Sequence, residues 1–119
     1  MNKKDVTELL ATVFWENIEH EVEEDVELFG DMDLNDAFDE EVEYAELVEI
    51  YSFQLDSYIE EQGERESALY GDFDIMALVD GYKKNGDIIH GIEPILLGYQ
   101  FHVMKKGKIF YNYEMMRVY

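Results

Sequence analysis

The stretch NDAFDEEVEYAELVEIYSFQLDSYIEEQ, residues 35–62, decides the architecture inferred for the chain. Within it Tyr44, Leu47, Val48, Tyr51, Leu55, Tyr58 and Ile59 step mainly by three and four, the spacing of an apolar helical stripe. Phe38, Val42, Ala45 and Phe53 widen that stripe, while Asp39, Glu43, Glu46 and Glu61 fall on the other side. The spacing predicts a helix across roughly 35–62, ending near Gln62-Gly63 with Gly63 as its C′ residue.

Upstream, Val6, Leu9, Leu10, Val13, Phe14, Ile18, Val22 and Val26 form a second stripe with helical spacing. Asn2 is the expected N-cap, with Asp5 in the first turn where the helix dipole favours an acid. Glu16, Glu19, His20, Glu23, Glu24 and Glu27 lie opposite the stripe. Asp25 falls beside it, so fraying is expected there, and Gly30 stops the helix. Asp31 to Asp36 then reads as a turn-and-cap segment. Asp31-x-Asp33-x-Asn35 looks like the opening of an EF-hand loop. The sixth and twelfth positions, which need Gly and Glu, hold Asp36 and Val42, so capping is the better reading and no metal site is assigned.

Downstream the pattern changes. Ile95 to Met104 and Lys108 to Val118 are rich in aromatic and β-branched residues and are joined by Lys105-Lys106-Gly107. They predict a β-hairpin. For 73–92, Asn85-Gly86 signals a type I′ hairpin between strands at Phe73–Lys83 and Asp87–Ile92. Ile75, Met76, Leu78, Val79 and Tyr82 also keep helical spacing, so a helix is the alternative to the favoured strands. The expected fold is α+β: two N-terminal acidic helices packed on a three- or four-stranded antiparallel sheet formed by the C-terminal half. A single domain spans 1–119, divided into an acidic helical half (1–66) and a neutral β-rich half (67–119).

The charge follows the same division. Residues 1–66 hold 23 Asp and Glu against Lys3, Lys4 and Arg65, whereas 67–119 hold six acids and six bases, so the first half carries the whole net charge of −20. Like charges on a small domain repel and lower its stability, a cost that solubility or a cationic partner would justify. An apolar fraction of 47% argues against a disordered acidic tail. The absence of cysteine suits a reducing cytoplasm, and no apolar run is long enough for a secretion signal or a membrane span. Phosphates and anionic lipid would be repelled, so neither direct nucleic-acid binding nor membrane binding is expected.

Glu16, Glu19, Glu23 and Glu27, with Asp39, Glu43 and Glu46, recur every three to four residues with no Lys or Arg at i+4 to pair with them. Four helical residues rise about 6 Å, close to the spacing of successive phosphates, so such a face fits a Lys- and Arg-lined groove built for nucleic acid. These seven residues are the candidate partner-binding set. His20, His90 and His102 lack metal-ligand spacing, no catalytic motif is present, and no enzyme activity or cofactor is expected. The aromatics of the C-terminal half have no basic surround and read as sheet core. Lys105, Lys106 and Lys108 read as a solvated turn, or as a contact for an acidic patch on a second copy, leaving monomer or homodimer open.

With these regularly spaced, unpaired acids over residues 5–66, the chain resembles the small acidic DNA-mimic proteins of phages and mobile elements, among them anti-restriction proteins and anti-CRISPR inhibitors of Cas nucleases. The resemblance is one of charge and size and carries no motif. It implies an inhibitor that occupies the nucleic-acid groove of a basic host enzyme, a defence nuclease, with a Cas nuclease ahead of a restriction enzyme. The alternative is an immunity protein neutralising a basic toxin nuclease. A third reading is an acidic scaffold or regulatory module, for which divalent-ion binding at Asp31–Asn35 stays open.

Overall fold

A computed structural model describes residues 1–28, 38, 40–91 and 93–119. The described residues form two helices, α1 (Lys3–Thr12) and α2 (Trp15–Leu28), and five strands. These are β1 (Tyr44–Gln62), β2 (Ser67–Tyr82), β3 (Ile88–His90), β4 (Ile95–Lys106) and β5 (Ile109–Arg117). The strands make one antiparallel sheet in the order β1-β2-β4-β5, with the short β3 also paired to β2. The α+β class, with two N-terminal helices ahead of an antiparallel sheet, is as expected, but both helices come from the stretch read as the first one, and the sheet is larger and takes its first strand from the acidic half.

The helix expected at 35–62 is a strand from Tyr44 onward. β1 pairs with β2 over its whole length, from Tyr44↔Tyr82 to Gln62↔Ser67. Its register slips at three places, between Leu47 and Glu49, Ile50 and Ser52, and Leu55 and Ser57. Each slip inserts one residue and flips the alternation of faces. The inward positions therefore run Ala45, Leu47, Ile50, Phe53, Leu55, Tyr58, at steps of two and three. That hybrid spacing overlaps a helical stripe closely enough to imitate one. The outward residues show the difference: Tyr44, Val48, Tyr51 and Ile59, core residues in a helical reading, are all exposed.

The hairpin at 95–118 is present, with Gly107 at φ 62° at the first position of its two-residue turn. The favoured strands at 73–92 are present too, as β2 and β3. Their connection is not the expected type I′ turn. That turn needs two positive φ angles, and here Gly86 alone has one, at 91°. The turn is closed by hydrogen bonds from the Gly86 amide to the Lys83 carbonyl and from the Lys83 amide to Asp87.

The first apolar stripe is broken into two helices. Asn2 and Asp5 form a reciprocal capping box on α1. The chain bends at Val13-Phe14, which leaves Val13 exposed while Val6, Leu10, Phe14, Ile18, Val22 and Val26 are buried. α1 crosses the strands near one end of the sheet. The Tyr58 hydroxyl of β1 donates to the Met1 carbonyl, 2.9 Å, and Phe14 beyond the other end of α1 stacks on Tyr113 of β5 at 4.5 Å. α2 then packs chiefly on β1, with its N-terminal Trp15 edge-on to Phe53. Asp25 does not fray: it stays helical, and its carboxylate accepts the buried Tyr99 hydroxyl at 2.8 Å.

Both helices cover one face of the sheet, and Leu69, Phe73, Ile75, Ala77, Val79, Leu97, Tyr99, Phe101 and Val103 meet them in a single core. Phe38 and Val42 extend this core over Gly81, where a Cβ would lie 2.5 Å from Val42. The opposite face of the sheet has no covering helix among the described residues. The molecule is a rod, 57 × 21 × 21 Å, whose long axis follows the long β1 and β2 strands.

Candidate functional site

The acidic candidates divide between two sides of the rod. Ile18, Val22 and Val26 turn one face of α2 onto the sheet, so Glu16, Glu19, Glu23 and Glu27 are all exposed on its solvent side. Glu43 precedes β1 and is exposed, while Glu46 lies within β1 on the uncovered face of the sheet, where it accepts the Tyr82 hydroxyl at 2.8 Å. The second helical acidic face is therefore not formed, because the segment that should carry it is a strand. Asp39, the turn Asp31 to Asp36 and the helix stop expected at Gly30 lie outside the described residues.

The structure brings together acids that the sequence spacing did not. On the uncovered sheet face, Asp72, Asp74 and Asp80 of β2 alternate with Tyr70, Met76, Leu78 and Tyr82, and Glu49 of β1 and Glu114 of β5 join them. Their signal in sequence was the alternation of acid and apolar residues through 70–82, which helical spacing in the same segment obscured. With the carboxylates of α2 on the far side, they put anions on two opposite faces of the rod.

The cations are sorted towards the ends. Gln62, Ser67 and Lys105 share one cross-strand row, which puts Arg65, Lys105, Lys106 and Lys108 at one end. Lys3 and Lys4 start α1 nearby, since the Met1 ammonium lies 3.2 Å from Glu60. Lys83 and Lys84 occupy the turn at the other end, where Lys83 pairs with Glu40 at 2.6 Å. Of the nine Lys and Arg residues only Arg117, opposite Tyr99, lies in the middle. The rod thus carries one net negative charge per about 3 Å of its length, against about 1.7 Å for duplex DNA.

Local contacts show the strain of this charge. Glu21 sits half-buried on the flank of α2, in a notch shared with Tyr113 and Met115. Partial burial, followed by the nearby Asp25 and Glu24 carboxylates, raises its pKa above the ordinary 4.5. A raised carboxyl pKa means that the folded state holds the proton more tightly than the unfolded one. Ionised Glu21 therefore costs stability above its folded pKa, and the cost is absent below 4.5, where both states are protonated. Glu21→Gln is expected to raise the melting temperature at pH 7, with the gain shrinking as the pH is brought down to 4.5, as read by circular dichroism melts. Burial, and then the hydrogen bond to Asp25, push the Tyr99 hydroxyl well above the usual phenol range, so it remains a donor to that carboxylate.

His20 lies 3.2 Å from Glu24 and His90 2.8 Å from Asp80, both as surface pairs. No group of three or more His, Cys, Asp or Glu among the described residues is arranged to hold a metal ion. No helix among the described residues is long and apolar enough to cross a membrane. Comparisons with protein-family models, curated proteins and solved structures found no match to this chain.

Proposed function

We propose that this protein is a non-enzymatic inhibitor that imitates nucleic acid and occupies the basic groove of a DNA-processing enzyme in the cytoplasm, a defence nuclease before any other. The observation that carries this reading is the distribution of charge: a narrow rod with carboxylates on two opposite faces and with its cations, Arg117 apart, displaced towards its ends. A cationic cleft evolved for a phosphate backbone would meet anions on both walls of such a rod. Arginine forks bind carboxylate and phosphate in the same bidentate geometry. Long-range attraction would speed encounter, most strongly at low ionic strength. The side that α2 presents, Glu16, Glu19, Glu23 and Glu27, is one wall of this contact, and the acids of the bare sheet face are the other.

Purified Cas nucleases and restriction enzymes provide the test. Cleavage of DNA should be inhibited at about 50 mM salt and recover by about 200 mM, as counterion-linked binding requires. Excess non-cleavable duplex should relieve the inhibition by competition. Inhibition that persists against excess duplex would place contact away from the DNA groove and favour the immunity-protein reading. No effect on any DNA-binding enzyme would remove the proposal.

A further inference from the structure

The uncovered sheet face is not uniformly polar. A groove of about 1040 Å³ crosses all four long strands, floored by two cross-strand rows. One row runs Ile59, Tyr70, His102, Glu114; the other runs Ser57, Asp72, Gln100, Met116. Both edge strands are bulged beside it, β1 between Leu55 and Ser57 and β5 opposite His102 and Met104, where Asn112 takes φ 53°. Bulges bend a strand and increase its twist, so a pair on opposite edges curls the sheet around the floor between them.

We infer that this groove is the docking site for an arginine-bearing, partly apolar segment of the protein's partner. The inference rests on the reading of a cationic protein partner given above and adds the surface and side-chain chemistry that recognise it. Charge selects the occupant: Glu61, Asp72 and Glu114 line the groove and, among the described residues, no Lys or Arg does. Apolar surface sets it apart from a plain anionic patch, since Ile59 is 55% and Met116 60% exposed. Arginine suits it better than lysine. The Tyr70 and His102 rings lie side by side, centroids 6.3 Å apart, and a planar guanidinium can stack on such rings while forking to a neighbouring carboxylate. The carboxylates are already oriented, Asp72 by the Ser57 hydroxyl at 3.0 Å and Glu61 by the Tyr70 hydroxyl at 2.8 Å. Four strands span about 14 Å, the length of four or five extended residues.

The experiment uses the full chain, isotopically labelled for amide NMR, and three octapeptides: alternating arginine–leucine, alternating lysine–leucine, and all-arginine. The arginine–leucine peptide should shift the amides of Ile59, Tyr70, Gln100 and His102, and bind at least threefold more tightly than the lysine–leucine peptide. Ile59→Ser with Met116→Ser, which leaves the charge unchanged, should weaken it about tenfold. Val13→Ser, at an exposed apolar position on the helical side, should not. Shifts confined to α2, or equal affinity for the arginine–leucine and lysine–leucine peptides, would overturn the assignment. The outcome is separate from that of the nuclease assay: inhibition relieved by DNA can stand with the groove empty, and peptide binding in the groove can stand with no nuclease inhibited.

Discussion

Replacing Glu16, Glu19, Glu23 and Glu27 together with Lys should cost at least a hundredfold in affinity for a basic partner and nothing in stability. These four side chains are exposed on the outer face of α2. An exposed ion pair is worth about 0.2–1 kcal/mol. Losing four such pairs, and setting four cations against a cationic wall, amounts to about 3 kcal/mol or more, which is about a hundredfold or greater in Kd. The fold should respond in the opposite sense, because the substitutions relieve repulsion in a chain of net charge −20. Thermal melts at low salt should show a melting temperature unchanged or higher, and inhibition titrations on the same preparation should show the loss. A variant that keeps its affinity would remove α2 from the contact. The same reasoning gives salt two opposite effects on the wild type, stabilising the fold while weakening the complex.

The second large effect is expected at Gly71. There β2 passes so close to β1 that an added Cβ would strike the Ser57 carbonyl oxygen and approach the Tyr58 Cα to 2.8 Å. The atoms in the way are backbone, so no side chain can rotate aside. The close approach sits at the third bulge of β1, beside the groove. Gly71→Ala should therefore cost about 3 kcal/mol, the upper range of overpacking, with an unchanged urea m-value. Gly86→Ala is the useful contrast. Nothing lies within 4 Å of its added Cβ, and its penalty comes only from φ 91°, about 1 kcal/mol. Equal destabilisation by the two would show that the crowding at Gly71 is relieved by movement of β1.

Periodicity alone was enough for the parts of the chain that keep one period. Asn2 with Asp5, the burial of the stripe from Val6 to Val26 except Val13, the turn at Gly107 and the strands around Asn85-Gly86 all follow from local chemistry. β1 was illegible because its three bulges mix steps of two and three, and no single-period template describes such a strand. The bulged strand also redistributes the candidate acids. With β1 read as a helix, Glu43 and Glu46 belonged to a second helical face, whereas Glu46 lies on the sheet beside Asp80. Asp25 stays helical for a reason local sequence does not carry: its partner, the Tyr99 hydroxyl, is 74 residues away, and only the tertiary fold supplies it. The sorting of cations to the ends also needed the register, because Arg65 and Lys105 become neighbours only once β1, β2 and β4 are aligned.

β1 forms one margin of the sheet over 19 residues, pairing with β2 alone among the described strands. A margin of that length is a ready template for another chain of the same kind, the first step of cross-β growth. Glu46, Glu49, Asp56, Glu60 and Glu61 are spread along it, so two such margins aligned side by side would bring like charges into repeated apposition. The anions that suit this molecule to a cationic cleft thus also act as its safeguard against polymerising with itself, and a variant neutralised along this strand would lose solubility before it lost its shape.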